Sequence, residues 1–351
     1  MEKLEKMAVF KFFLTVYILI LVSFGSFSHG RKLTVLKELA KPSELIIDKE
    51  LMIIGDDTNQ LHLYSLKDFK YIAQLCRSGE GPGEAKYVGQ IVLSKDYIFR
   101  YILGKNIYYS RNGKFLKEFK TRFGTTSFIY PICDKYVSEK RIRRDGDNDY
   151  SSDISLYSYI PEKGMVYDKF LYWYKDEPIT WKGSRRPYRF FYENHDVVIY
   201  ENKIFIGDST RGLFVQIFDQ NGNKLNQVKV NSEKAEFPDS YEKELTKIMK
   251  RNGQWNFFTS QFYFDEPEFF PGFYRYFVGE NKIYFLTFNR KGDQREIIVT
   301  DWEGKLIKKT YIPWGSLLNF SRNLTVFEDK FYYLVDNQET EEWELHVADI
   351  K

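Results

Sequence analysis

Cysteine is almost missing from this chain. Cys76 and Cys133 are the only two in 351 residues. That excludes a disulfide framework and leaves one bridge or two lone buried thiols. Histidine is scarce as well: His29, His62, His195 and His346 share no close spacing, so zinc ligation has little support. Charge of one sign is lacking, with a formal net of only +3. Nucleic-acid proteins draw affinity from a strong basic excess, and that class is set aside. No nucleophile-elbow motif marks a serine, although a triad assembled in space needs no such motif.

Aromatic residues are what the chain has in abundance, at 18% with 27 Tyr and 31 Phe. They suit half-buried pleated surfaces and point to an all-β fold. Hydrophobic residues at 43% exclude a disordered chain, and the length allows a sizeable core. Lys3, Lys6 and Lys11 precede an apolar run from Phe12 to Phe24, followed by Gly25-Ser26-Phe27-Ser28. This is the order of a secretory signal, and the run is short for a membrane span of about 20 residues. An uncleaved anchor is the alternative, because Phe27 is bulky for a cleavage pocket. No cysteine near the cut supports a lipoprotein anchor. The expected division is a signal over 1–30 and one domain over 31–351, in an extracytoplasmic setting.

One pattern recurs six times: an apolar run, a polar turn, then an Ile/aromatic run. It appears at Leu45–Ile54, Ile91–Phe99, Ile132–Val137, Val197–Ile206, Tyr276–Phe285 and Leu324–Tyr333. Each copy reads as a hairpin, and a second hairpin often follows, as around Arg111–Lys114, Asp219–Lys224 and Asp301–Lys305. Two hairpins make one four-stranded propeller blade, so six copies predict a six-bladed β-propeller. The last copy stops after three strands, and Lys32–Leu36 is a spare strand predicted to close it as the outer strand. Two regions break the rhythm. One is a long hairpin through residues 139–149 in the third unit. The other is an insertion at 237–273 with a short helix, capped by Asp239 or Ser240 and apolar at Leu245, Ile248 and Met249.

Between the first two units lies Gly79-Glu80-Gly81-Pro82-Gly83-Glu84, a run that can be neither helix nor strand. With six hairpin units and an exported N-terminus, it resembles a secreted six-bladed β-propeller family of Bacteroidetes-type organisms, similar in shape to NHL-repeat propellers. Members usually carry an aromatic residue after the Glu, where this chain has Ala85. The resemblance implies a fold and an address; the family has no common activity to carry over.

Each candidate site has a plain structural reading beside it. Gly79, Gly81, Pro82, Gly83 and Glu84 could aim N–H groups at an anion, but Glu80 and Glu84 oppose it and a phosphate loop's Lys and Ser/Thr are missing. A structural elbow is the stronger reading. Asp145, Asp147, Asp149 and Asp153 alternate like the start of a calcium loop, yet Tyr150 and Leu156 stand at its glycine and glutamate positions. A solvated hairpin tip is expected, with calcium the one ion this run could take; no cofactor is otherwise called for. Arg143, Arg144, Arg185 and Arg186, with Trp173, could grip an acidic sugar or carboxylate, or form an exposed charged hairpin. Trp255 begins an aromatic stretch to Phe273 that is either a stacking platform or a plug.

The expected protein is an exported, monomeric propeller acting as a non-catalytic binding or interaction module for a protein, peptide or carbohydrate. A metal-dependent hydrolase or lyase at the channel mouth is the alternative, and a structural part of an envelope complex a third. Converging carboxylate, amide or imidazole groups would mark the enzyme; an aromatic and Arg-lined groove would mark the binder. Asp48, Asp96, Asp134 and Asn202 read as turn residues and decide nothing.

Overall fold

β-branched and aromatic runs broken by polar two-residue turns fold into antiparallel hairpins, and the hairpins stack around an axis. The computed structural model describes residues 30–350 apart from 87–88, 103, 121–127, 144–149, 176–185, 189–194, 239–242, 244–245, 248, 251–252, 254, 265–267 and 315–321. The first strand, β1 (Arg31–Leu36), lies apart from its sequence neighbours. Blade one holds β2 (Pro42–Ile47), β3 (Leu51–Asp56), β4 (Leu61–Ser65) and β5 (Tyr71–Leu75). Blade two holds β6 (Gln90–Leu93), β7 (Tyr97–Ile102), β8 (Lys105–Ser110) and β9 (Phe115–Lys120). Blade three holds β10 (Ile129–Ile132), β11 (Lys135–Arg143), β12 (Tyr150–Ile160) and β13 (Gly164–Lys175).

After β14 (Arg186–Tyr188), blade four runs β15 (His195–Tyr200), β16 (Lys203–Asp208), β17 (Leu213–Asp219) and β18 (Lys224–Val230). Helix α1 (Trp255–Gln261) and β19 (Phe262–Phe264) follow, and β19 pairs in parallel with β14. Blade five is β20 (Arg275–Gly279), β21 (Lys282–Lys291), β22 (Gln294–Thr300) and β23 (Leu306–Ile312). Blade six is β24 (Leu324–Phe327), β25 (Lys330–Asn337) and β26 (Glu342–Asp349), with β1 as its outermost strand. The molecule is a six-bladed β-propeller with four antiparallel strands in every blade.

Ring closure follows the expected route. Arg31 to Leu36 pair with Val347 to Trp343, with one bulge between Lys32 and Thr34. The seam carries a charged clamp: Lys32 Nζ donates to Glu344 Oε1 at 2.6 Å, and Asn337 Nδ2 donates to the same oxygen at 2.8 Å. His346 Nε2 lies 2.8 Å from Glu344 Oε2. These hydrogen bonds, Lys32 first, hold the Glu344 carboxyl down at about 2. Leu36 is buried beside Tyr64, Tyr332 and Leu345.

The core is six clusters, one between each pair of neighbouring blades. That between blades five and six is built around Tyr284, Leu286, Trp314 and Phe331. Blades two and three share a smaller one of Phe99, Tyr101, Tyr108 and Ile129. A ring with a packed interface at every joint buries both faces of each sheet, which explains the near-continuous apolar inner strands.

Strand direction gives the ring two unlike ends. Inner strands start at the end that carries the links between blades, here the mouth end. They finish at the turn end, where the inner hairpins close at Glu201–Asn202 and Glu328–Asp329 with positive φ at both residues. The outer hairpins close there too, by a shared device. Asp219 accepts from the N–H groups of Asn221 and Asn223 at 2.8 Å, Gly222 takes φ +74°, and a bulge follows at Ile217/Phe218. Asp301 and Gly304 repeat it. A left-handed glycine before a bulge is the geometry that lets a three-residue turn match strand twist.

The insertion lies on the mouth end. Its limbs meet where Phe237 N–H donates to Glu268 and Phe270 N–H donates to Ala235. The expected caps Asp239 and Ser240, and Leu245 and Ile248, fall outside the described residues; Met249 is buried in the cluster of blades five and six. Trp255 to Phe258, the start of the aromatic stretch read from sequence as a platform or a plug, open α1. Cys76 and Cys133 are both free; Cys76 is buried as expected for a lone thiol, whereas Cys133 is exposed because it sits in the inner turn of blade three.

Candidate functional site at the channel mouth

A polar residue stands at the mouth end of five of the six inner strands. The position just ahead of the apolar run holds Glu44 in blade one, Gln90 in blade two, Asp196 in blade four, Arg275 in blade five and Asn323 in blade six. Arg322 stands one residue earlier and bridges Glu44 of β2 in parallel, its carbonyl accepting from Leu45 N–H at 3.0 Å. Tyr130 enters from blade three, with its ring 5.1 Å from Phe128.

These groups are fixed by bonds across the joints. Asn323 Nδ2 donates to the Pro42 carbonyl at 2.9 Å, and Gln90 Oε1 accepts from Ile129 N–H at 3.2 Å. The buried Tyr276 hydroxyl donates to the carbonyls of Asp196 and Phe205, at 3.1 and 2.9 Å. Arg100, fully buried between blades one and two, donates to the Asn59 carbonyl at 2.8 Å. The result is a wall in which polar side chains of one blade are bonded to the main chain of the next.

Two cations and two anions share this mouth. Arg322 Nη1 lies 3.8 Å from Glu44 Oε1, a loose pair. The Glu44 carboxyl is raised above its ordinary value by burial, and Asp196 adds to the rise while Arg322 and Arg275 work against it. Burial acts to lower the Arg322 pKa, but Glu44 and Asp196 outweigh it, so that guanidinium is held up. Burial, then Asp196, raises the Tyr130 phenol. The Arg322 side chain is 67% exposed, so its guanidinium stands open to water at the mouth.

Arg322 also borders a cleft of about 660 Å³ between blades six and one, with Lys41, Asp57, Asp336, Glu341 and Trp343. Trp343 is set in place by its Nε1–H, which donates to the Ala40 carbonyl at 3.2 Å, and Lys41 pairs with Asp57 at 3.0 Å. A second cleft of about 710 Å³ on the same end lies between blades four and five, lined by Arg211, Asn231, Glu233, Lys234, Phe269 and Asn289. Among the described residues, no group of three His, Cys, Asp or Glu is arranged to hold a metal ion.

The sites expected from sequence are scattered. Trp173 is 47% exposed on the outer strand of blade three, opposite Asp153. Trp255 packs against the cluster of blades five and six, under Lys250 Nζ at 5.1 Å. Arg143 ends β11 and Arg186 opens β14. Arg144, Arg185, Asp145, Asp147 and Asp149 lie outside the described residues.

In the elbow, Gly81 N–H donates to Glu84 Oε2 at 2.9 Å and Gly83 N–H to Glu118 Oε2 at 2.8 Å. Lys105 Nζ donates to the carbonyls of Gly81 and Glu84, and Tyr109 Oη to that of Gly83. The chain's own carboxylates therefore fill the concavity an anion would need. Pro82 lies between, and Ala85 is buried in the cluster of blades one and two.

No family model matches the sequence, and no curated protein matches it. Solved structures do. A protein from Bacteroides fragilis NCTC 9343, whose name marks it as exported by inference, is similar at 13% identity with a TM-score of 0.53; 92% of this chain and 95% of that one are covered. The propeller domain of Cps50 (Swd1) from Myceliophteria thermophila matches at 10% identity and a TM-score of 0.41, over 91% of this chain and 99% of that one. At such identities the likeness shows the fold alone. Among the described residues, no helix is long and apolar enough to cross a membrane.

Proposed function

We propose that the protein is an exported, non-catalytic binding module, and that its ligand is an acidic oligosaccharide held at the channel mouth. The observation that carries this reading is the place of Arg322: open to water, at the junction of the channel and a cleft that also holds Trp343. A guanidinium grips a uronic carboxylate through paired N–H donors. An indole face packs against the apolar face of a sugar ring. Glu44 and Asp196 would accept sugar hydroxyls at the same mouth.

Export is supported by the N-terminal order of lysines, apolar run and small residues, and by the likeness to a protein named as exported. Kinship with NHL-like secreted propellers belongs to the same reading. A channel-bound divalent metal fits the mouth less well, because Arg275 and Arg322 occupy the electrostatic neighbourhood where its charge would sit.

Calorimetric titration with galacturonate trisaccharide tests the proposal, with maltotriose and a glutamate-rich peptide beside it. Saturable heat with the uronate alone, weakened about tenfold or more in Arg322→Ala, is expected. Absence of binding, equal binding of the neutral sugar or the peptide, or an unchanged Arg322→Ala titration would overturn it.

A further inference from the structure

The turn end of the ring has an unusual rim. Ten large apolar side chains are exposed among the described residues, and all ten stand on outermost strands. Seven of them fall in the first two positions of such a strand, which is the turn end. Tyr71 and Ile72 open β5, and Phe115 and Leu116 open β9. Leu225 is second in β18, and Leu306 and Ile307 open β23. Scattered exposed apolar residues need no explanation. The same position filled on four blades does.

A lysine accompanies each of these openings: Lys70, Lys114, Lys224 and Lys305, all exposed. Blade three leads into its outer strand through Lys163, and blade six through Arg31. Cations thus circle the whole rim. The aspartates of three of these turns are engaged within them, while Glu162 and Glu303 stand exposed next to Lys163 and two residues before Lys305. Asp219 and Asp301 accept their own turns' N–H groups, and Asp68 pairs with Lys70 at 3.1 Å.

We propose that the turn end docks on an anionic lipid bilayer. The apolar pairs enter the headgroup boundary, and the lysines lay their stems along it and reach the phosphates. The chain's own route names this occupant. Arg31 starts β1 at the turn end, and the apolar run Phe12–Phe24 stops seven residues before it. Until the signal is cut away, a segment of membrane-seeking character joins the ring at this rim, while the channel mouth and both clefts lie on the opposite end. Each weak contact is local; those on four blades of a rigid ring act together.

The test reads contact rather than retention, because the N-terminal run could tether the full chain by itself. In full-length protein carrying Cys133→Ser, an environment-sensitive fluorophore is attached at Leu306→Cys or Leu116→Cys on the rim, and at Glu339→Cys on the mouth end. Each variant's thermal melt is matched to the parent, and the two rim positions back each other up. On vesicles of phosphatidylglycerol and phosphatidylcholine with spin-labelled lipid, the rim probes are expected to blue-shift and quench and the mouth probe to do neither. Combining Lys114→Gln, Lys224→Gln and Lys305→Gln should cut the quenching several-fold. Equal signals at rim and mouth, no quenching at the rim, or quenching as strong on pure phosphatidylcholine would overturn the proposal.

Discussion

The two ends of this ring are made from the same strands and have opposite characters. At the turn end each hairpin is closed by the shortest turn that works, and the same devices recur from blade to blade. At the mouth end the connections differ in length and content. They carry the insertion, two clefts and a ring of charged groups that no two blades share. Repetition marks where the chain needs only to reverse direction. Divergence marks where side chains from separate blades meet and a ligand can be selected.

That contrast can be broken or sharpened by experiment. The largest effect is expected from Tyr276→Ala. Its fully buried ring sits between blades four and five and ties the Asp196 main chain, so urea unfolding should show a loss of about 3–5 kcal/mol. A loss below about 1 kcal/mol would mean that the mouth wall is not held by this joint. Next, Arg322→Ala should lower affinity for galacturonate trisaccharide about tenfold, or about 1.4 kcal/mol, with little change in stability, since the side chain is 67% exposed.

Two glutamates give a contrast of sign. Glu344 at the seam is held down at about 2, below its ordinary 4.5. Its clamp stabilises the ring above about pH 4.5, and that contribution is lost as pH falls toward 2. Glu344→Gln should flatten this acid limb of a melting-temperature profile. Glu44 at the mouth is raised instead, by burial. Its contribution favours the fold below 4.5 and fades as pH rises through the raised value, so Glu44→Gln should gain relative stability near neutrality. The smallest effect belongs to the rim: Leu306→Asn should change unfolding free energy by no more than about 0.5 kcal/mol, because the residue is 54% exposed. A larger loss would show the rim to be core.

Much of the architecture can be read from the chain because period-two runs and turn residues are local signals. Val197–Ile206 shows a hairpin by itself, with Glu201 and Asn202 at the turn. Closure was legible too, since Lys32–Leu36 had no partner nearby and the last copy lacked a strand. The mouth was not, because its residues come from all six blades and no stretch of sequence contains two of the joints. A faint signal existed. Glu44, Gln90, Asp196, Arg275 and Asn323 each stand directly before an apolar run, one polar residue per copy. The apolar runs are the stronger signal and mask the single residue ahead of them. Arg143, Arg186, Trp173 and Trp255 drew notice as clusters in sequence, yet Trp173 and Trp255 stand on different parts of the ring. The start of α1 at Trp255 was missed because its aromatic run, Trp255–Phe258, favours sheet by propensity.

Pairing β1 with β26 has a consequence in time. The ring's opening strand is zipped to its closing one. Five blades are each built from one continuous stretch, but the sixth keeps one edge bare until β1 and β26 meet. A chain cut before β26 would leave β1 without its partner and two sheet edges unpaired, so losing one strand costs the closure of the whole ring.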